Sequence, residues 1–284
     1  MPAGNNTIKP GVLVDLAPSI RRLTAFNAGT MTGPGTNTWI LGKDEIAVLD
    51  PGPDSPRHVE NIVDQAPGAV RWILVTHTHP DHSPGAALLA ELTGASLIGP
   101  PPPGDRQDSS FRPEVEPKDG QEFDFAGFVL RAVHTPGHAS NHFCWWHAPR
   151  GVLFTGDHIM QGSTVVIAPP DGDMSAYLAS LDRLLDLPIR ALAPGHGHWI
   201  DRPGREIRGL IAHREMREDK VVAAMEALGP AALEAILPRV YDDVPGRLHP
   251  MAALSLEAHL LKLEREDRAM RDGNSWRLAE GAAR

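Results

Sequence analysis

The sequence predicts an α/β fold in which two sheets pack together with helices outside, followed by a smaller helical region. Strand-like apolar runs alternate with helical patterns as far as residue 193, which is typical of such layered folds. From about Pro203 the pattern changes to helices, and loops that carry metal-ligand residue types no longer occur. We therefore predict a main domain at residues 1–203 and a second domain at residues 204–284.

Short strands dominate the first part of the chain. The runs 12–14, 38–41 and 46–49 are predicted strands, and a helical pattern follows near residues 58–65. The next apolar strand is the run 72–75. The loop that follows this strand has the most unusual composition in the chain.

That loop is a candidate metal site, because residues 76–82 read Thr-His-Thr-His-Pro-Asp-His. Histidine nitrogens and carboxylate oxygens are ligands of zinc and similar metals. His77 and His79 are two residues apart, so in an extended chain both side chains point the same way and can bind one ion. After Pro80 the chain must turn, which allows Asp81 and His82 to face a second ion. Solvated loop histidines are the alternative, but four such residues in six positions rarely coincide without a metal.

A helix is predicted directly after this loop. Ser83 is interpreted as its N-cap and Pro84 as its first helical residue, followed by the apolar run 86–92.

Three later loops add further candidate ligands. Each follows a strand-like run and contains a glycine beside a ligand-type residue. His138 follows the run 128–133, Asp157 follows 152–154, and His196 follows 191–193.

These segments resemble the signature of the metallo-β-lactamase superfamily, in which HxHxDH is followed by His, Asp and His. The resemblance covers roughly residues 10–200 and implies the four-layer αββα sandwich of that family. It also implies two metal ions with a hydroxide between them, and Asp157 as the bridging ligand. The implied ligands are His77, His79 and His138 for the first ion, and Asp81, His82 and His196 for the second.

The metal pair implies a hydrolase. Two dications lower the pKa of a shared water, so hydroxide forms at neutral pH. Asp81 is expected to orient this nucleophile, and His198 is a candidate proton donor, with a solvated loop histidine as the alternative. Asp50, His142 and His158 are expected to orient the ligands by hydrogen bonding. Two Zn²⁺ ions are the expected cofactor; iron or manganese, and with iron an oxygenase, are alternatives.

The tail resembles a winged-helix module. Helices are predicted at 205–228, 231–237 and 250–266, followed by a tight turn at 271–276 between two short strands. Such a module can bind nucleic acid, cover a site, or form a homodimer contact. Residues 205–284 contain 13 Lys and Arg against 14 Asp and Glu, a net charge of −1, without a clear basic stripe.

Two substrate classes remain open. The chain resembles the lactamase-like endoribonuclease subgroup through several segments, which implies cleavage of single-stranded RNA. Glyoxalase II-like members share the same seven ligands and the segment 134–138, which implies hydrolysis of a small thioester or ester. A non-catalytic protein with a decayed site is a third class, which the complete ligand set disfavours. The segments shared with the endoribonuclease subgroup are 35–38, 76–85, 134–138, 162–165 and 213–215.

Composition constrains these alternatives. The formal net charge of −9 argues against broad adhesion to nucleic acid, although bound dications would add positive charge locally. The tryptophans at 39, 145, 146 and 199 are predicted to pack inside the protein rather than to stack on bases. A single cysteine, Cys144, excludes an internal disulfide and is interpreted as a buried strand residue. Without an apolar run of about 20 residues or a signal peptide in residues 1–6, we expect a cytoplasmic protein with no membrane partner.

Overall fold

A computed structural model describes residues 7–281. Residues 1–6, which were predicted not to form a signal peptide, and residues 282–284 lie outside the described residues. The chain forms two compact units. The first contains the chain up to Thr135 together with Asn141–Thr164 and Leu187–Pro203. The second contains Pro136–Ser140, Val165–Asp186 and the chain from Gly204 onward.

The first unit is built on two mixed sheets. The strands of the first sheet are β1 (Leu13–Ala17), β2 (Ile20–Thr24), β3 (Asn37–Gly42), β4 (Glu45–Leu49), β5 (Ala69–Leu74) and β6 (Ser96–Ile98). Those of the second are β7 (Glu122–Asp124), β8 (Val129–His134), β9 (Phe143–His147), β10 (Val152–Gly156) and β11 (Ala191–Pro194). In the first sheet the six strands follow chain order, and only the pairs β4–β5 and β5–β6 are parallel. In the second the order is β11-β10-β9-β8-β7, and only β10–β11 is parallel.

Alternation along the central strands explains the layering. In β3, Trp39 belongs to the apolar cluster that includes residues of both sheets, whereas Ile40 belongs to a cluster on the opposite face. Helices α1 (Pro56–Gln65) and α2 (Gly85–Thr93) contribute apolar residues to that second cluster. A sheet with apolar side chains on both faces needs a layer on each side, so the predicted sandwich with an outer helical layer is confirmed.

The start of α2 differs from the prediction. The helix begins at Gly85, and Pro84 occupies the cap position without a side-chain cap. The hydroxyl of Ser83 instead donates to the Asp108 carboxylate at 2.6 Å. The predicted N-cap was wrong because this residue bonds to a distant loop.

Within the described residues, the second unit contains four α-helices and a small sheet. Its apolar core joins residues of three helices and of the sheet, for example Val221, Ile236, Leu256 and Trp276. The elements of this unit are α3 (Met174–Leu184), α4 (Pro203–Leu228), β12 (Ala231–Ala232), α5 (Leu233–Val240), α6 (His249–Arg265), β13 (Ala269–Asp272) and β14 (Ser275–Leu278). The three strands form a sheet with the order β12-β14-β13.

The predicted hairpin near the C-terminus is confirmed: β13 and β14 pair antiparallel, with Gly273 at φ +56° in the turn. The predicted helix at 231–237 begins later than expected. Ala231 and Ala232 pair with Trp276 and Ser275 of β14 instead, so helix α5 starts only at Leu233. Within residues 7–281, none of the helices combines the length and the apolar character that crossing a bilayer requires.

Candidate metal centre

Parallel strand pairs bring the predicted ligands of the first unit together. Asp50 follows β4, and the loop that begins with Thr76 follows its parallel neighbour β5. Asp157 follows β10, and His196 follows its parallel neighbour β11. The carboxyl ends of parallel strands lie at the same edge of a sheet, which is where ligand sites in such folds form. Chain direction in the two sheets therefore gathers residues far apart in the sequence.

Two carboxylates and two imidazoles converge at this edge. His196 Nε2 lies 3.2 Å from both Asp81 Oδ2 and Asp157 Oδ1. His82 Nε2 lies 3.3 Å from Asp157 Oδ1 and 3.5 Å from Asp81 Oδ2. The side chain of His82 is fully buried, and those of His196 and Asp157 are only 5% and 11% exposed. Asp157 thus faces the imidazoles of both His82 and His196. Its role as a ligand shared between two ions stays a prediction.

His77 and His79 lie beside this group. Their facing ring nitrogens, Nε2 of His77 and Nδ1 of His79, are 3.0 Å apart. Within the first unit, the ligand atoms of two groups lie within 4.8 Å of one another. These groups are Asp81, His82 and His196, and His77, His82 and Asp157.

The buried carboxylate of Asp50 holds two of these histidines. Its Oδ2 accepts from Nδ1 of His82 at 3.0 Å, which leaves Nε2 of that ring to face the centre. Thr76 donates its hydroxyl to the same carboxylate at 2.9 Å and lies 3.0 Å from Nδ1 of His77. This hydroxyl can therefore accept a hydrogen bond from Nδ1–H of His77, which leaves Nε2 of that ring as the atom for a metal. The sequence reasoning gave Asp50 an orienting role but assigned none to Thr76, whose only signal was its position at the start of the loop.

Residues 35–37 form hydrogen bonds to Asp81 and to the loop that carries His196. Thr36 donates its hydroxyl to Asp81 Oδ2 at 3.1 Å. The side-chain amide of Asn37 donates to the carbonyls of Pro194 and Gly197, at 3.0 and 2.9 Å. These two carbonyls lie before and after His196 in the sequence. His196 Nδ1 donates to the carbonyl of Gly35 at 3.3 Å, so its Nε2 also points inward. The sequence indicated residues 35–38 only through the family resemblance. In the structure, residues 35–37 form hydrogen bonds that hold Asp81 and the loop of His196.

The convergence of charges shifts the pKa values in opposite directions. Burial opposes protonation of His196, but Asp157 and Asp81 raise its pKa to about 10. Burial likewise opposes the charge on Asp81, but His82 and His196 lower its pKa to about 2. Burial lowers the pKa of His77 well below its usual value, and neighbouring histidines add to this effect. The carboxylates of Asp81 and Asp157 are thus ionised and His77 is neutral at pH 7, whereas His196 is protonated and must lose this proton when it binds a cation.

The donor set fits a pair of divalent ions. Imidazole nitrogens and carboxylate oxygens are the ligands of zinc and of non-haem iron, and divalent ions would compensate the negative charges of Asp81 and Asp157. Thiolate ligation is not part of the arrangement. Cys144 is buried in β9, as predicted, and its Sγ donates to the carbonyl of Thr155 at 3.8 Å.

His138, the remaining predicted ligand, belongs to the second unit. Its Nδ1 donates to the carbonyl of Val166 at 2.8 Å, so the lone pair for a metal is on Nε2. Its binding of one ion together with His77 and His79 stays a prediction.

The other predicted histidines differ in their surroundings. His142 is fully buried, its Nδ1 lies 2.9 Å from the hydroxyl of Thr135, and its ring centre lies 5.0 Å from that of His77. His158 is also buried, with its ring centre 5.9 Å from that of His142. His198, in contrast, is exposed on the loop after His196. Its role as a proton donor stays a prediction.

The sequence matches two family models, the metallo-beta-lactamase superfamily over residues 31–196 and the beta-lactamase associated winged helix domain over residues 232–276. The chain belongs to the metallo-β-lactamase superfamily. It is a metal-dependent hydrolase. The superfamily binds a dinuclear metal centre, usually of zinc or iron, and the His and Asp groups described above are candidate ligands for such a centre. The winged-helix interpretation of the tail is also confirmed.

Individual relatives in the superfamily cover most of the chain. The "Beta-lactamase-like protein 2 homolog" of Drosophila melanogaster is 31% identical over 269 residues, which span 88% of this chain and 89% of that protein. The "Atrochrysone carboxyl ACP thioesterase" of Aspergillus fumigatus is 30% identical over 255 residues, which span 82% of this chain and 78% of that protein. A Beta-lactamase domain protein from Burkholderia ambifaria has the same fold, with a TM-score of 0.84. It is 21% identical, and the match covers 98% of this chain and 96% of that structure.

Proposed function

We propose that this superfamily member hydrolyses thioesters of small acyl groups at a dinuclear zinc centre. The observation that carries the proposal is the relative named as an acyl carrier protein thioesterase, whose similarity extends over 82% of the chain. The buried cluster of histidines and carboxylates supplies the chemistry that such a reaction needs.

We assign the ligands as the sequence predicted. Asp81, His82 and His196 would hold one ion, and Asp157 would be shared with the other. His77, His79 and His138 would hold the other ion. When bound, two dications lower the pKa of water and polarise the carbonyl oxygen of a substrate. The chain contributes the fixed orientation of its imidazoles, through Asp50 and Thr76, and a site largely shielded from water.

The leaving group also supports a thioester. A thiol has a pKa of about 8.5, so a thiolate can leave without prior protonation, whereas an alkoxide needs a proton donor. The candidate donor, His198, is mostly exposed. The partial loss of its contact with water lowers its pKa, and the nearby Arg22 lowers it further. Hydrolysis of a thioester therefore depends less on proton donation by His198 than hydrolysis of an ester or a phosphodiester does.

RNA cleavage is the second candidate, and the winged-helix domain at residues 232–276 is the observation that favours it. Two features of the second unit weigh against it. Several basic side chains that a phosphate backbone would require already form ion pairs with carboxylates. Trp276 is 3% exposed, so it offers no face on which a base could stack. The paired basic residues are Arg217, Lys220, Lys262, Arg265 and Arg268.

A side-by-side assay tests the proposal. Zinc-loaded protein is given a panel of acyl thioesters and, separately, a single-stranded RNA oligomer. The His79→Ala variant serves as the site variant, and His249→Ala as the matched control, since His249 lies in the second unit and contacts the carbonyl of Val244. We expect thioester turnover that falls at least about 100-fold in His79→Ala and is unchanged in His249→Ala.

The opposite pattern would replace the proposal. RNA cleavage that His79→Ala abolishes, without thioester turnover, would make the chain a nuclease. Thioester turnover that survives in His79→Ala would show that the reaction does not use this centre.

A further inference from the structure

We infer that Arg214 of α4 and Ser255 of α6 are positioning residues that set the orientation of the His138 imidazole. They act through the short segment Val165–Ile167. The inference rests on the ligand role proposed for His138, and it assigns to the helical tail a function in metal binding.

The contact between His138 and this segment fixes the ring. Nδ1 of His138 donates to the carbonyl of Val166 at 2.8 Å. This bond selects the tautomer with the proton on Nδ1 and sets the direction of Nε2. The position of one backbone carbonyl therefore determines where the ligand nitrogen points.

The two neighbours of Val166 are tied to the helices of the tail. The guanidinium of Arg214 donates to the carbonyl of Val165, and the hydroxyl of Ser255 accepts from the backbone N–H of Ile167 at 3.3 Å. Both side chains are buried, at 2% and 5% exposure. The segment is thus held on both sides of the carbonyl that His138 uses.

Arg214 is itself held in place. Its guanidinium lies over the ring of Tyr177 in α3, 5.4 Å from the ring centre, and Tyr177 is fully buried. A charge-assisted bond from a buried, immobile guanidinium restrains a carbonyl more strongly than water would. Arg214 therefore restrains the segment instead of merely contacting it.

The backbone around His138 is fixed separately by α3 and its N-terminal residue. The N–H of Asp173 donates to the carbonyl of Gly137 at 2.8 Å, and the hydroxyl of Ser180 donates to that of Pro136 at 2.8 Å. Loss of Arg214 should therefore leave the loop in place but release the imidazole. A ring free to rotate must be ordered when it binds a metal, so the affinity falls.

Zinc affinity provides the test, with Arg214→Ala compared with Arg217→Ala. Arg217 lies one turn further along α4, is also buried, donates to the carbonyl of Val240 and lies 4.8 Å from the ring centre of Tyr241. Arg217 therefore matches Arg214 in burial, carbonyl bond and aromatic neighbour, but it bonds to Val240 instead of the segment 165–167 and also forms an ion pair with Asp243. Chelator competition measures the affinity of each of the two zinc ions, and the absorption spectrum of the cobalt-loaded protein reports ligand geometry.

We expect Arg214→Ala to lower the affinity for one of the two zinc ions about 10-fold, which is at the low end of the effect of residues that orient a metal ligand. The absorption spectrum of the cobalt-loaded protein should also change. Arg217→Ala should leave both unchanged while lowering the unfolding temperature. In a His138→Ala background, Arg214→Ala should have no further effect on zinc affinity, because the ring it orients is absent.

Equal losses of zinc affinity in Arg214→Ala and Arg217→Ala would overturn the inference, as would additive losses with His138→Ala. If Arg214→Ala does not fold, Arg214→Lys and Ser255→Ala decide by the same measurement: weaker binding of one ion supports the inference, and unchanged affinity rejects it. Zinc affinity is independent of the substrate. Failure of the thioester assay would therefore leave this result standing, and failure here would leave the thioester assay standing.

Discussion

At the scale of single residues, Asp50 shows how a residue that is not itself a predicted metal ligand can orient one. It is buried, adopts φ +53°, and accepts from the N–H of Thr76 at 2.7 Å in addition to its bonds to the Thr76 hydroxyl and His82. A left-handed backbone at a residue other than glycine is uncommon and tends to occur where surrounding contacts impose it. The backbone here aims a carboxylate at the back of a metal ligand.

We predict that Asp50→Asn weakens metal binding about 10–100-fold. Asparagine also tolerates the left-handed region, so the change removes the charge and one acceptor while retaining the backbone. The metal content after dialysis against a weak chelator measures the effect. Asp54→Asn, at an exposed position nearby, is the control and should retain full metal content. Full retention in Asp50→Asn as well would show that the carboxylate does not support His82.

At the scale of elements, the loop Pro136–Ser140 packs directly on α3. Gly137 adopts φ +142°, and a Cβ at this position would lie 2.3 Å from the Cα of Tyr177. The obstacle is backbone, which cannot rotate away. Only glycine therefore allows the close approach that brings His138 alongside the segment Val165–Ile167.

Gly137→Ala should accordingly destabilise the protein by about 2–3 kcal/mol more than Gly127→Ala. Gly127 has φ +113°, and a Cβ added there would meet no atom within 4 Å, so its variant isolates backbone strain from overlap. Urea unfolding of both variants gives the comparison. Similar losses of stability would mean that strain alone, and not the contact with α3, requires the glycine.

At the scale of the whole molecule, the second unit is assembled from three separate stretches of chain. Two of them, Pro136–Ser140 and Val165–Asp186, lie in the sequence between strands of the sandwich. The ion pair of Asp173 with Arg265 and the bonds of Val165 and Ile167 join these stretches to helices of the tail. The second unit therefore consists of the tail together with these two earlier stretches of the chain.

We predict that a chain ending at Pro203 unfolds more than about 10 °C below the full-length protein, because Val165–Asp186 loses its apolar and polar partners. A chain ending at Gly281 is the control and should match the full length. Thermal unfolding followed by circular dichroism measures both. A chain ending at Pro203 with an unchanged, cooperative transition would show that the first two stretches do not need the tail.

The sequence by itself determined the family, the sandwich, the winged-helix tail and the candidate ligands. It could do so because strand periodicity is local, and because metal binding requires particular residue types in the loops that follow strands. The sequence also predicted that Asp50 orients ligands, but tertiary structure alone decided that Asp50 contacts His82 and that Thr76 contacts His77. Arg214 reaches a carbonyl 49 positions earlier, and Asp50 reaches His82 across 32 positions. Such contacts join residues that are far apart in the sequence and meet only in the folded chain, so local sequence patterns cannot predict them.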